Sequence, residues 1–167
     1  WKSQVNRCGA PNGYLVMDVD GTQLKWHYKS TGHGMDYQMR VYGKGEMLSQ
    51  PQYVVANVWD WDPACKVEWL QDGKPMGMME KFTDVDEVYA VSKKHQPGLT
   101  VTGHLFRALP SSGAKSITVV FTNRFGEKFE QTVMITNPKV QTRIVAHRGY
   151  WDTEGSAQNS IASLRKA

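Results

Sequence analysis

Hydrophobic residues along the chain fall mostly into short runs, either continuous and β-branched or alternating with polar residues. A continuous run covers Tyr53 to Trp59 and ends at the turn residues of positions 60–63, which predicts a buried strand. In the next run, Lys66 to Leu70, polar and apolar residues alternate, so this strand is expected to have one wet face and one dry face. Asp72-Gly73 then predicts a hairpin turn into a third run that begins at Pro75.

Similar patterns predict strands on both sides of this central unit. Two apolar runs, Tyr14–Val19 and Leu24–Tyr28, flank the type I′ turn signal Asp20-Gly21, and this arrangement predicts a β-hairpin. Further strands are predicted at Tyr37–Tyr42, Leu99–Leu109, Ser116–Asn123 and Lys128–Thr136, with the last two forming a second hairpin.

The segments between these strands have weaker patterns. Residues 30–36 and 81–97 are predicted to be loops, because breakers fill the first and the periodicity of the second is poor. Within the second, Asp84–Tyr89 also has the pattern of one or two helical turns or an irregular crossover. Met76 and Met78 alternate in the third central run, which suits one buried face.

Short strands at this spacing, without a helical repeat before residue 156, predict a mainly β fold. We expect an immunoglobulin-like antiparallel β-sandwich over residues 1–137, in which two sheets bury their apolar faces. After Asn137-Pro138 a short apolar run, a polar loop and an amphipathic start of a helix follow one another. This order predicts that residues 138–167 are a strand-loop-helix stub from the start of a TIM barrel.

Size and composition limit the classes of protein to which the chain can belong. With 167 residues and a mass of 18.9 kDa it can form one well-cored domain and part of a second. A mean hydropathy of −0.51 and the lack of an apolar segment of bilayer length argue against a membrane-spanning protein. The chain opens on Trp1 without a signal peptide, so we expect it to be a slice of a longer precursor.

Charge and cysteine content add two constraints. The net charge of +4 comes from 20 basic and 16 acidic residues that are scattered along the chain. A nucleic-acid-binding surface needs a basic stripe with interleaved aromatic residues, so we expect no nucleic-acid partner. Cys8 and Cys65 match neither a metal-binding spacing nor a C-x-x-C redox motif. They either pair in an oxidising compartment or are each a small buried hydrophobic residue.

The turn after the central strand contains candidate binding residues. Asp60 and Asp62 flank Trp61 and could contribute to a calcium site, but calcium takes about six to eight oxygens, so turn capping is favoured. Trp61 is also the candidate ligand-binding residue of a tryptophan platform for a sugar ring, since two aspartates beside it favour exposure. Its partners would be Trp26, Trp59 and Trp69, for which a place in the core is the alternative.

Gly103-His104-Leu105-Phe106 is similar to the Gly-His-x-His station of dimetal phosphoesterases. Phenylalanine occupies the place of the second histidine, and the other stations of such a site do not occur in the chain. His104 is therefore interpreted as a packed strand histidine. We expect no metal site within residues 1–137.

The tail carries the one set of residues with recognisable reaction chemistry. His147-Arg148-Gly149 follows a short apolar run, and Gln158-Asn159-Ser160 opens the predicted helix. In this order the triplets resemble the start of glycerophosphodiester phosphodiesterases, in which a His-Arg-Gly ends the first barrel strand and a Glu-Asn-Thr follows. The resemblance implies that His147 is a catalytic general acid/base and that Arg148 is catalytic and, with Asn159, binds the substrate phosphate. Glutamine replaces the family's glutamate, and its acidic metal ligands and second histidine are missing, so the site is incomplete.

Four segments of the larger part occur in a recognisable order. They are Gly9-Ala10-Pro11-Asn12-Gly13-Tyr14, the Asp20-Gly21 hairpin with Trp26–Thr31, the run Val54–Trp59, and His104–Ala108 with the hairpin after it. Together they resemble the carboxy-terminal accessory domain of calcineurin-like metallophosphoesterases, over residues 1–137.

These resemblances imply a non-catalytic accessory module of a multidomain, secreted bacterial phosphoesterase. The module would link a dimetal calcineurin-like domain upstream to a glycerophosphodiester phosphodiesterase domain downstream, with residues 138–167 as the start of the latter. The chain itself is expected to hold no cofactor and to be inactive. The intact parent is expected to use calcium or magnesium on a phosphate ester, and to be periplasmic or extracellular. The alternative is a β-sandwich that binds glycans or lipid headgroups.

Overall fold

The structure is a computed structural model, and it describes residues 5–135. Within these residues ten strands form three antiparallel sheets, and one short helix is present. The predicted barrel stub at 138–167 lies outside the described residues. The elements are β1 (Gly13–Asp20), β2 (Gln23–Ser30), β3 (Met39–Tyr42), β4 (Val54–Val58), β5 (Lys66–Gln71), β6 (Lys74–Met78), β7 (Glu80–Asp84), α1 (Glu87–Ser92), β8 (Thr102–Ala108), β9 (Ser116–Thr122) and β10 (Lys128–Met134).

Two four-stranded sheets share one hydrophobic core. Their strand orders are β10-β9-β5-β6 and β3-β4-β8-β7, and β4 is buried at every position because its continuous apolar run faces protein on both sides. Alternate residues of both sheets meet in this core, including Ala56, Val67, Phe106 and Val119. This is the mainly β, layered arrangement that the alternation predicts; the immunoglobulin-like assignment stays a prediction.

The outer face of the β3-β4-β8-β7 sheet is covered by a second, smaller cluster. Tyr42, Val55 and Leu105 on this face pack with Met47 from the β3–β4 connection. Val88 of α1 packs against the same cluster. The sheet is therefore dry on both faces in its middle, which explains why β4 lacks the alternation of a half-exposed strand.

The central hairpin and the first hairpin are both confirmed, with different turns. β5 and β6 meet at Asp72-Gly73, and both residues have positive φ, 51° and 80°, as a type I′ turn requires. In the first hairpin Asp20 pairs with Gln23, so the loop residues are Gly21 and Thr22. Only Gly21, at φ 56°, is in the positive region; the predicted type I′ turn is therefore wrong for this hairpin.

Two other sequence predictions are wrong. Residues 81–97 are not a loop, because they contain most of β7 and all of α1. β7 is an edge strand paired only with β8, so much of its surface is exposed and its periodicity is weak. Met76 and Met78 do not face a core, since β6 is also an edge strand and is exposed at all five positions; of the three methionines at 76, 78 and 79, Met79 is the buried one.

A fully buried carboxylate, Asp86, joins four separate segments. Its Oδ2 accepts hydrogen bonds from the Tyr42 hydroxyl at 2.7 Å and from Asn57 Nδ2 at 2.8 Å. Its Oδ1 accepts the backbone N–H of Tyr89 at 3.0 Å and so caps the N-terminus of α1. The Arg40 guanidinium lies 3.9 Å from the same oxygen. A buried charge is stable only with this number of partners.

The N-terminal segment is packed against this carboxylate. Asn57 Nδ2 also donates to the carbonyl of Cys8 at 2.8 Å, and Arg40 Nη1 donates to that of Gly9 at 2.9 Å. Gly9 has φ 82°, and a Cβ at this position would lie 1.9 Å from the Asp86 Cγ. Only glycine fits there, for both its conformation and the space.

We expect Asp86→Ala to lower the free energy of unfolding by about 3 to 5 kcal/mol, because it leaves the buried polar groups of Tyr42 and Asn57 without their shared acceptor and Arg40 without its anionic partner. Urea unfolding followed by tryptophan fluorescence measures the change. Asp84→Ala is the matched control, since Asp84 is only partly buried and accepts part-buried hydrogen bonds from Gln50 and Val85, so we expect a smaller loss, of about 1 kcal/mol. Equal losses in the two variants would contradict the role given to Asp86.

Gly9→Ala and Gly45→Ala separate backbone strain from steric exclusion. The two glycines have φ 82° and 86°, but a Cβ at Gly45 meets nothing within 4 Å. We expect Gly45→Ala to cost about 1 kcal/mol and Gly9→Ala clearly more, since the Asp86 side chain must also move. The same unfolding experiment tests the difference, and similar costs would show that the contact with Asp86 is unimportant.

Candidate functional site

Aromatic and charged side chains surround a small cleft beside the β4–β5 connection. Its lining includes Trp26, Trp59, Asp60, Asp62 and Arg124. The cleft has a volume of about 20 Å³, which is room for a single water-sized group and too little for a sugar ring.

The chain forms this cleft where β4 ends. The backbone N–H of Trp59 bonds to the carbonyl of Gln38 at 2.9 Å, and Asp60 then takes a left-handed conformation with φ 50°, which aspartate tolerates better than most residues. Asp62 Oδ1 accepts the N–H of Ala64 at 2.7 Å. The prediction that Asp62 caps a turn is therefore confirmed.

The two aspartates of the cleft differ in their electrostatic environment. Burial raises the pKa of Asp60, with a hydrogen bond from Trp26 acting in the opposite direction. The hydrogen bond from Arg124 Nε, 2.6 Å from Asp62 Oδ2, lowers the pKa of Asp62. Asp62 therefore has a cationic partner, whereas Asp60 is held chiefly by neutral groups.

Arg124 also links the first hairpin to the rest of the domain. Its guanidinium lies 5.0 Å from the centre of the Trp26 ring, at a distance suited to a cation–π contact. Phe125 meets the same ring edge-on, with centroids 4.9 Å apart. The β9–β10 loop thus holds β2 and the Asp62 turn together.

The predicted tryptophan platform does not form as an exposed surface, although Trp26 and Trp59 both line the cleft. Trp59 and Trp69 are core residues, exposed by 1% and 9%. Trp61 is half-buried, packs on the inter-sheet core with its ring 5.7 Å from that of Phe106, and carries the Lys81 ammonium 4.4 Å from its ring centre. Its role in ligand binding stays a prediction.

His104 and the cysteines occupy structural positions. His104 lies on β8, and burial lowers the pKa of its imidazole, as expected for a packed strand histidine. Cys8 and Cys65 are both free thiols, so they do not form the disulfide that was one alternative. Cys65 belongs to the inter-sheet core, and burial raises the pKa of its thiol.

A wider surface hollow lies next to α1. Its volume is about 470 Å³, and its lining includes Leu48, Asp84, Glu87 and His95. His95 Nε2 lies 3.6 Å from Glu87 Oε1, and the other oxygen of Glu87 accepts the N–H of Leu48 at 2.9 Å. The polar groups of the hollow are therefore used to attach the loops around the helix.

The catalytic and substrate-binding residues predicted in the tail, His147, Arg148 and Asn159, lie outside the described residues, so their roles stay predictions. Among residues 5–135, no group of three or more His, Cys, Asp and Glu side chains could hold a metal ion. In the same part of the chain no helix has the length and apolar character needed to cross a membrane.

Sequence reasoning missed the Asp86 group. A local signal was available, since an aspartate followed by a glutamate and the apolar run 88–91 is a helix N-cap pattern. Its burial, and its bonds to Tyr42 and Asn57 far away in the chain, depend on tertiary packing and have no local signal.

The two aspartates should act on stability in opposite pH ranges. The folded pKa of Asp62 lies below its unfolded value, so the stability from its bond with Arg124 is present above about pH 4 and is lost as the pH falls. The folded pKa of Asp60 lies above its unfolded value, so its contribution is present below about pH 4 and is lost as the pH rises.

We therefore expect Asp62→Asn to flatten the loss of stability below about pH 4, and Asp60→Asn to flatten the loss above it. Urea unfolding at intervals between pH 3 and pH 7, an experimental range around the carboxylate pKa, measures both slopes. Asparagine keeps the left-handed conformation of Asp60 accessible, so the comparison isolates the charge. If both variants changed the slope in the same range, the assigned environments would be wrong.

Comparisons with known proteins agree with the larger of the two sequence resemblances. No curated protein matches the chain. The model of the family described as the C terminal of calcineurin-like phosphoesterase matches residues 1–129. The matched range includes every strand from β1 to β9 and the first residues of β10. The chain therefore belongs to the family of C-terminal domains of calcineurin-like phosphoesterases.

Proposed function

We propose that this chain is a non-catalytic accessory module of a multidomain phosphoesterase. It would follow a dimetal calcineurin-like domain and lead into a glycerophosphodiester phosphodiesterase domain in a secreted bacterial protein. The family match over residues 1–129 is the observation that carries the first part of this proposal. The His147-Arg148-Gly149 and Gln158-Asn159-Ser160 triplets support the second part.

The contacts of the charged residues support a structural role for the β domain. Arg107 donates to both carboxylate oxygens of Glu80, at 3.0 and 2.6 Å, and to Gln50 at 3.0 Å. Its guanidinium also stacks 4.7 Å from the ring centre of Tyr53. A guanidinium with these partners is not poised to bind a substrate phosphate.

The reaction is assigned to the parent protein. Its phosphoesterase domain would hold divalent cations, calcium or magnesium, which offset the charge that develops on a phosphate ester. If the tail opens a barrel, His147 supplies a general acid/base, and Arg148 and Asn159 bind the phosphate. The periplasm or the outside of the cell is the proposed location, and neighbouring domains of the same polypeptide are the proposed partners.

We expect the chain 1–167 to hydrolyse bis-p-nitrophenyl phosphate no faster than buffer in the presence of calcium, magnesium or manganese, because one histidine and one arginine without a held cation do not stabilise the transition state. A longer polypeptide that includes the phosphoesterase domain is the positive control, and EDTA should abolish its activity. Metal-dependent turnover by the chain alone would overturn the proposal.

A fluorescence titration with glycans and lipid headgroups tests the alternative function. We expect no saturable change, since Lys81 already covers one face of Trp61. Saturable quenching that is lost in Trp61→Ala would favour the binding module instead.

A further inference from the structure

The β1–β2 hairpin carries an apolar face that the rest of the described domain leaves open. Opposite residues of an antiparallel pair share a face, and the register pairs Leu15 with Tyr28, Met17 with Trp26, and Val19 with Leu24. Four of these side chains are largely exposed. Their exposed fractions are 52% for Leu15, 54% for Met17, 70% for Val19 and 44% for Leu24. We call these four residues the hairpin face.

The domain holds this hairpin only along β2. Trp26 packs on Phe125, His27 Nδ1 lies 3.3 Å from Glu127 Oε2, and the Tyr28 hydroxyl donates to the carbonyl of Pro11. Among the strands of residues 5–135, β1 pairs only with β2. A two-stranded sheet alone is marginally stable in water, so these anchors keep an exposed apolar surface in a defined position. Contiguous exposed apolar surfaces of this kind mark interaction sites.

We propose that the hairpin face docks on the phosphoesterase domain of the same polypeptide. This inference rests on the proposed function, in which that domain lies upstream of residue 1. Cross-strand pairing of Asp18 with Lys25 places charged residues on the opposite side of the hairpin. The face itself therefore suits an apolar partner surface, as in interfaces between domains of one chain.

The place where the polypeptide enters the domain favours the upstream phosphoesterase domain over a downstream domain as the partner. Residue 5, where the described chain begins, is joined by a β-bridge to Pro11, and the Asn6 amide lies 3.5 Å from the Tyr28 hydroxyl at the base of the hairpin. By contrast, β10 starts beside the loop that contacts Trp26 and runs away from it to Met134. A downstream domain would therefore follow the end of β10 that points away from the hairpin.

The size of the hairpin face argues against a second copy of the chain as the occupant. Four partly exposed side chains offer far less than the ~800 Å² per partner of a stable interface between separate proteins. A domain joined to its neighbour in one polypeptide has an effective concentration that reaches the millimolar range when the linker is short, so a small apolar contact can hold it in place.

The test uses the parent polypeptide, the phosphoesterase domain followed by this chain, with a protease site inserted directly before Trp1. After cleavage we expect the two parts to bind each other weakly, with a dissociation constant below about 1 mM, when one part is titrated at high concentration into the other and the chemical shifts of the β1–β2 amides are followed. Met17→Gln should weaken their affinity at least tenfold. Met78→Gln is the matched control, because Met78 is an equally exposed strand methionine (57%) on the distant edge strand β6, and it should leave the affinity unchanged.

Val19→Thr guards against unfolding of the hairpin, since threonine keeps the β-branched shape; hydrogen exchange of the β1–β2 amides should stay protected while the affinity falls. Cleaved parts that do not bind, or equal effects of Met17→Gln and Met78→Gln, would overturn the proposal. So would a dimer of the chain alone that Met17→Gln dissociates. If the chain is inactive in the phosphodiester assay and the cleaved parts do not bind, the proposed function stands and only the docking of the hairpin face is ruled out.

Discussion

The buried Asp86 carboxylate is the interaction on which the arrangement of the domain depends. It ties the N-terminal segment, β3, β4 and α1 together through Tyr42, Asn57 and its own helix cap. Burial of a carboxylate costs several kcal/mol unless most of its lone pairs are used, so the four segments are stable together and not separately. The Asp86 carboxylate also caps α1 and so positions this helix, whose Val88 packs on the outer face of the β3-β4-β8-β7 sheet.

Much of the β fold follows from local sequence. The continuous run of β4, the alternation of β5 and the Asp72-Gly73 turn each act within a few residues, so their outcome is fixed by period and turn chemistry. The same is true of Asp62, whose capping bond reaches only two residues along the chain. These features are predicted well because no distant contact competes with them.

The missed features depend on contacts between distant residues. β7 and β6 are edge strands, and an edge strand can expose apolar residues such as Met76 without a penalty that the sequence reveals. Trp61 has two flanking aspartates and was expected to be exposed, but Lys81 and Phe106 from other strands cover much of it. The burial of Asp86 has the same origin, since its partners are separated from it by 29 and 44 positions.

Charged side chains and exposed apolar side chains have different roles in this domain. Charged side chains in short ion pairs, Arg107 with Glu80 and Arg124 with Asp62, connect strands and loops of the domain. Apolar side chains that a small domain would normally bury are instead exposed along β1. In these two ion pairs the charged groups are used within the domain, whereas the exposed apolar side chains of β1 have no such partner among the described strands other than β2. Burial of such a surface against another protein surface is favourable, and this driving force is the physical basis for the proposed docking of the hairpin face.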